Sequence, residues 1–342
     1  AKNFSLPLYG GFDGLRLQEK EPFNNSDLAG TTKTSYYANY TLRTALKVVE
    51  DEEVVEGNIV TIPGITEATI TNEVINLAEK RQDVLGIIDI EGGYTPSTEN
   101  ANTSVARTPK SVATAVSNIK SRQLDSSFAC TYYPWVHIRD TRTNATVYLP
   151  PSVVGLGTMA ASDAAQDAVW FAPAGFNRGG ISGGQINLKV GGVTQQLNRD
   201  DRDDLYQVDI NPIANFTQEG IVVFGQKTLL ADPSALDRIN VRRMLIYVKK
   251  QVRLIANGIL FEQNVQDTWN KFKNEANTFL SSVQTRFGIS EYLVKLDSTT
   301  TTPDLIDQNV LYAKVYIKPA RAIEFIALDF IITKTDADFS SY

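Results

Sequence analysis

The sequence predicts a two-part α/β and α+β protein, and three observations predict it. Between Ile59 and Val136, short apolar runs alternate with helical spacing, the pattern of βαβ units and a sheet covered on both faces. Two uninterrupted amphipathic stretches follow, Leu236–Arg253 and Trp269–Val283. Two β-rich runs, Val310–Ile317 and Ile323–Ile332, close the chain. The expected organisation is a connecting segment over 1–34, an α/β domain over 35–230 and an α+β domain over 231–342 with two long helices and a small sheet.

In chain order, residues 1–34 are punctuated by Gly, Asn, Asp and Pro and read as a connector. The glycines there lack the Lys-Ser/Thr that a phosphate-binding P-loop requires. Tyr36 to Glu50 has helical spacing. An acidic knot, Glu50-Asp51-Glu52-Glu53, leads into the strand-like Ile59–Ile62 and a Pro63-Gly64 turn. Glu67 to Arg81 reads as an amphipathic helix and Val84–Asp89 as a buried parallel strand. A loop to Thr108 precedes a helix through Val112, Val116 and Ile119, and Ser127–Val136 is the next strand. Residues 175–204 read as loop. The aspartates of Asn198–Asp204 alternate with arginines and lack a glycine-turned ligand loop, so they predict a salt-laced surface turn rather than a calcium site. Gly220–Gly225 reads as a buried strand and Glu291–Leu296 as the start of the last sheet.

The stretch from Leu236 to Arg253 is the most informative. Asp237 is a candidate N-cap. Val241, Met244, Leu245, Val248, Val252, Ile255 and Ile259 share one helical face. Arg238, Arg242, Lys249 and Arg253 form a stripe beside it, Arg243 and Lys250 a second, and no acid lies between Arg238 and Arg253. A solvated outer face explains this; so does docking onto an acidic partner surface. At the C-terminal end, Ile323–Ile332 is apolar on both faces, and Pro319 belongs in the connection before it because it cannot donate to a ladder. An unpaired strand edge is a pairing template.

Composition excludes several classes. The formal net charge is −6, with 33 basic against 39 acidic residues, the reverse of a nucleic-acid-binding footprint. One cysteine, Cys130, excludes an intrachain disulfide and a cysteine zinc site; one histidine, His137, excludes a multi-histidine metal site. No apolar run approaches the roughly 20 residues of a membrane span. The first residues lack a signal-peptide core, and a start at Ala1 without Met reads as a fragment or processed product. A soluble, cytoplasmic, structural protein without cofactor is the expectation.

Several blocks, in order, resemble the contractile tail sheath proteins of myovirus-type bacteriophages. Leu236–Arg253 is similar to that family's "LDRINVRRLLIYIKK", Phe224–Leu229 to "WGQKTL" and Thr268–Phe272 to "TWNKF". Thr302–Asp307 is similar to "NTPDVID", and Ile317–Ile326 to "IKPTRAAEFI". Leu6–Gly14 resembles the "LSGGSDG" that leads into the family's central part. The resemblance implies a subtilisin-like three-layer central domain without a catalytic triad, and a structural subunit. Such subunits polymerise as a helical sleeve around the inner tail tube, by strand addition between chains, and contract to drive the tube through the host envelope.

On that basis Arg238, Arg242, Arg243, Lys249, Lys250 and Arg253 are expected to face the tube. Tyr312, Lys314, Tyr316, Phe325, Ala327, Asp329 and Ile331 are expected in the inter-subunit sheet. The implied partners are other sheath subunits, the tube protein and the baseplate, without nucleic acid or membrane. The implied location is the virion tail, assembled in the bacterial cytoplasm. The family's N-terminal arm has no counterpart here, so the chain alone is expected to be monomeric or weakly associating.

Two other classes stand beside this one. A receptor- or carbohydrate-binding module would use the Tyr- and Gly-rich loops. A hydrolase would need a histidine and a helix-opening serine, both near an aspartate. His137 lies in a strand beside Arg139-Asp140, and Ser152 follows Pro150-Pro151, which is no nucleophile elbow.

Overall fold

The computed structural model describes Leu28 and residues 37–92, 111–140, 142, 144, 146–181 and 190–324. The chain opens with a helix, Tyr37–Val49 (α1), and the strand Ile59–Thr61 (β1). Helix Ala68–Arg81 (α2) follows, its first turn capped by the Glu67 side chain. It returns the chain to strand Leu85–Ile88 (β2), which pairs parallel with β1. Helix Val112–Arg122 (α3), capped by Ser111, then delivers strand Ala129–Tyr133 (β3) parallel to β2. These are the two βαβ units that the alternation predicts.

The single strand expected over Ser127–Val136 is two. Pro134, which has no N–H for a ladder, separates β3 from Val136–Arg139 (β4). Strand β4 leaves the main sheet and is the middle of a small antiparallel sheet, between Thr146–Leu149 (β5) and Val190–Val193 (β6). Between β5 and β6 lie a helix that the sequence reading missed, Pro151–Gln166 (α4), and a short one, Gly175–Arg178 (α5). Pro151 occupies the first helical position, where its missing N–H costs nothing. The salt-laced turn expected at Asn198–Asp204 is instead the start of a helix, Arg199–Gln207 (α6). Asn198 and Asp201 close a capping box at its N-terminus.

Strand Ile210–Phe216 (β7) pairs parallel with β3, and Gly220–Val223 (β8) folds back antiparallel on β7. The main sheet therefore runs β1-β2-β3-β7-β8. Its side chains divide between two faces. Leu85, Ile87, Cys130 and Tyr132 pack with Val154 and Met159 of α4 and with Ile239 and Ile246 further along the chain. On the other face, Ile88 and Ala129 pack with Ile70 and Val74 of α2, and Tyr133 and Ile210 with Val112, Ala115 and Ile119 of α3. The result is a mixed sheet between two helical layers.

After a one-turn 3-10 helix, Ala235–Asp237, comes the long helix Ile239–Asn257 (α7), then Gln266–Thr285 (α8). Asp237 does not cap α7: it lies in the preceding turn, pairs with Arg238, and leaves Arg238 at the cap position without a side-chain cap bond. Helix α7 joins both parts of the molecule. Ile239 and Ile246 enter the core under the main sheet, while Val241, Met244 and Val248 pack with Trp269, Phe272, Ala276, Leu280 and Val283 of α8. Strand Ile289–Lys295 (β9) pairs antiparallel with Lys314–Pro319 (β10), after a short helix Pro303–Asp307 (α9). Pro319 ends β10 opposite Ile289, past a register shift at Lys318, instead of lying in the connection. The run 325–332 lies outside the described residues.

Candidate assembly surfaces

The basic helix meets an acidic surface, and that surface belongs to the same chain. Arg243 is 7% exposed and grips Asp163 of α4 with two guanidinium nitrogens, Nη1 to Oδ1 at 3.0 Å and Nη2 to Oδ2. Arg253 Nη1 lies 2.8 Å from Glu52 Oε2, in the acidic knot before β1. Lys250 reaches Glu56 at 3.4 Å and donates to the Gly57 carbonyl and Asn58 Oδ1. Arg238 Nε donates to Glu324 Oε1 at 2.7 Å, and Glu324 also accepts from Tyr206 and Gln226.

Arg242 is different. It is 4% exposed, its guanidinium carbon lies 3.9 Å from the centroid of the Phe128 ring, and it donates to Ser127 Oγ. No carboxylate meets it among the described residues, and its Nε has no partner. Burial lowers its pKa to about 10. A delocalised guanidinium tolerates such an aromatic shelf better than an ammonium does. Lys249 is an exposed residue and touches Gln82 Oε1 at 3.5 Å; partial desolvation of its ammonium, with Arg242 and Arg253 beside it, lowers its pKa.

The expectation that all six basic side chains face an external tube is to be weighed against this packing. Arg242 and Arg243 are buried, and Arg238, Lys250 and Arg253 are paired within the chain. Their acids lie up to 201 positions away in sequence, so no local pattern announces them.

The second predicted surface is the β9–β10 sheet. Along β10 the side chains alternate: Leu311, Ala313, Val315 and Ile317 pack toward α8, while Tyr312, Lys314, Tyr316 and Lys318 are exposed. Tyr312 lies just before the strand and Lys314 within it, its Nζ 5.8 Å from the Tyr312 ring centroid. Leu293 of β9, opposite Tyr316, is exposed as well. Phe325, Ala327, Asp329 and Ile331 lie outside the described residues.

A catalytic reading has its own test in the geometry. Ser152 does open a helix near a buried aspartate. Its Oγ donates to Asp89 Oδ2 at 2.6 Å and its N–H to Oδ1 at 2.9 Å, while Gly64 N–H donates to Oδ2 at 2.7 Å. Direct contact leaves no space for an imidazole between serine and carboxylate, the arrangement that activates a serine nucleophile. Asp89 ties the turn after β1, the end of β2 and the start of α4 together, and burial raises its pKa to about 6. His137 lies in β4 with its ring against Gly191 and Gly192. Cys130 is buried in the core, and burial pushes its thiol up to about 12, far from a reactive thiolate. Among the described residues no group of three His, Cys, Asp or Glu is arranged to hold a metal, and no helix is long and apolar enough to cross a membrane.

Comparison with known proteins gives the same direction. Residues 231–333 match the family profile of the phage tail sheath C-terminal domain. A tail sheath protein of Vibrio phage KVP40 is 42% identical over 171 residues, 50% of this chain and 25% of the relative. The tail sheath protein of Enterobacteria phage T4 is 40% identical over 170 residues, again 50% of this chain and 25% of the relative. The matched part is thus about a quarter of the length of these curated relatives. Among solved structures, the sheath complex of an extracellular contractile injection system, PVC, in its contracted state is similar in fold. Its TM-score is 0.65 at 20% identity, covering 100% of this chain and 99% of that one. Residues 231–333 are thus similar to the C-terminal domain of phage tail sheath proteins, and half of the chain to a quarter of two such proteins.

Proposed function

We propose that the protein is a structural subunit of a contractile tail sheath. It would polymerise as a helical sleeve around an inner tail tube and drive that tube through a host envelope on contraction. The observation that carries this reading is the match of residues 231–333 to the sheath C-terminal domain, supported by the shared fold with a solved sheath complex. Residues 35–230 then form the subtilisin-like body without catalysis, 231–342 the polymerisation domain, and 1–34 a connector. The subunit works in the virion tail after assembly in the bacterial cytoplasm, with sheath copies, tube and baseplate as partners.

Strand addition at β10 is the proposed link between subunits, giving affinity through backbone bonds and register through alternate side chains. Of the six basic residues, Lys249 is exposed without a carboxylate partner among the described residues and Arg253 is exposed although it pairs with Glu52; these two are the ones an acidic tube would reach. Exposed ion pairs are individually worth about 0–1 kcal/mol, so a row of them holds a sheath yet releases in sequence. Rigid-body motion of packed subunits supplies contraction without nucleotide. Electron microscopy of the protein as its complete gene encodes it tests the reading: tubes support it, and dispersed particles under all assembly conditions oppose it.

A further inference from the structure

We propose that residues 321–324 form a strap across the start of α7, fastened by the Glu324 carboxylate alone and able to lift as a unit while the β9–β10 sheet stays intact. The device stands whether or not the chain is a sheath subunit.

Strand β10 ends at Pro319, and the Ala320 N–H still donates to the Gly288 carbonyl at 3.2 Å. Beyond it, residues 321–324 make no backbone–backbone hydrogen bond among the described residues. Arg321, Ala322 and Ile323 are exposed, Ile323 by 83%. None of their side chains has a hydrogen bond, an ion pair or a place in a core cluster among the described residues. Backbone with so few contacts opens at the low end of the local stability range. A cleft of about 310 Å³ is lined by Ala235, Asn240 and Val241 together with residues 321–324. The segment therefore spans the start of α7 with space between them.

Glu324 is the exception. Its side chain is 17% exposed. Oε1 accepts from Arg238 Nε at 2.7 Å and from Gln226 Nε2 at 3.1 Å, and Oε2 accepts from the Tyr206 hydroxyl at 2.9 Å. The three donors come from the cap of α7, the connection after β8 and helix α6, and these are tied to one another independently of the strap. Lys227 Nζ donates to the Tyr206 carbonyl at 2.6 Å and to Asp209 Oδ1 at 3.0 Å, and the Ile239 N–H donates to the Gln226 carbonyl at 2.8 Å. Together they make a preformed cradle for one carboxylate, and bonds to an ionised acceptor are the strong kind.

Lifting the strap strands no ion. Arg238 keeps Asp237, whose Oδ2 lies 3.0 Å from its Nη1, and Glu324 moves into water. The large cost of breaking a buried pair comes from a charge left without a partner, and here neither charge is left so. The closed strap is favoured instead by the Tyr206 hydroxyl and the Gln226 amide, which lose their acceptor when it lifts. Gln226 is 3% exposed and its Oε1 already lacks a partner, so its Nε2 depends on Glu324. Opening uncovers Asn240 and Val241 and changes the direction in which the chain continues past residue 324, with the hydrophobic cores and the β9–β10 ladder undisturbed.

Brief trypsin digestion of the 342-residue chain tests the strap, because Arg321 lies within it and the adjacent Lys318–Pro319 bond resists the enzyme. Fragments beginning at Ala322 are followed by mass spectrometry. Where reclosing outpaces cleavage, their rate of appearance follows the open population. Glu324→Ala should speed this cut at least about tenfold, and Ile323→Ala, its exposed neighbour, should leave it within about twofold. Tyr206→Phe keeps the sequence around the cut and should speed it about threefold or more in the parent chain, but not at all in Glu324→Ala. The cut after Lys271, which precedes the buried Phe272, should stay at the parent rate in every variant. An unchanged Arg321 cut in Tyr206→Phe, or a further gain when that change is added to Glu324→Ala, overturns the proposal. Equal acceleration after Lys271 overturns it too, since Glu324 would then be supporting the whole C-terminal core rather than a strap.

Discussion

Replacing Arg243 by Ala should unfold the joint between the central body and the C-terminal helices far more easily than its place in a basic stripe suggests. The Arg243 side chain is 7% exposed and that of Asp163 29%, so the variant leaves a half-buried carboxylate without its bidentate partner. Breaking a fully buried pair costs about 3–5 kcal/mol; with Asp163 partly wet, about 3 kcal/mol is expected. With a urea slope of about 3 kcal/mol/M, the midpoint falls by about 1 M. The Arg243→Met, Asp163→Leu double variant should recover most of that loss, because neither charge then remains to be solvated. Arg253→Ala removes an exposed pair from the same helix and should cost no more than about 0.5 kcal/mol. Equilibrium urea unfolding followed by tryptophan fluorescence measures all three. Equal and small losses for Arg243→Ala and Arg253→Ala would refute the assignment of the buried arginines to the internal joint, and would return Arg243 to the set available to a tube.

Further outcomes follow from single environments. Arg242→Met should be within about 1 kcal/mol of the parent protein or more stable, since it removes a buried charge with no carboxylate; Arg242→Glu should cost about 3 kcal/mol or more, both read by urea unfolding. Asp89 has a folded-state pKa raised from 3.8 to about 6. Its contribution is therefore fully present below about pH 4 and lost as pH rises through 6, a difference of about 3 kcal/mol; the parent-minus-Asp89→Asn stability difference measured across pH 4–7 should show that fall. Gly155→Ala would place a Cβ 2.4 Å from Tyr132 Cε2 inside the core, so a loss of about 1–3 kcal/mol is expected by thermal or urea denaturation.

Periodicity made the layered body legible. The strand–helix–strand order from Ile59 to Val136, the helices at 68–81 and 112–122, and the apolar faces of α7 and α8 all rest on local spacing, and the structure has them. Helix α4 escaped because its small residues, Gly155, Gly157, Ala160, Ala161 and Ala164–Ala165, give a weak apolar stripe behind two prolines. Helix α6 escaped because its charges resemble a loop until the Asn198–Asp201 capping box is seen. The charge segregation along α7 was visible, but its meaning depended on Glu52, Glu56, Asp163 and Glu324, which only the tertiary fold brings to it. Likewise, the exposed Phe261 and Phe287 resemble core residues in sequence; their backbone angles and surroundings distinguish them.

The most direct test of the sheath assignment is electron microscopy of the protein as its complete gene encodes it, beside the 342-residue chain at equal concentration. Hollow helical tubes from the complete product, with the mixed-sheet body repeated along the wall and β10 continued by a strand from a neighbour, are the predicted result. Tubes whose subunits contact one another without any strand added at β10 would contradict the proposed linkage. Dispersed particles alone, with and without tube protein, would contradict the sheath function itself.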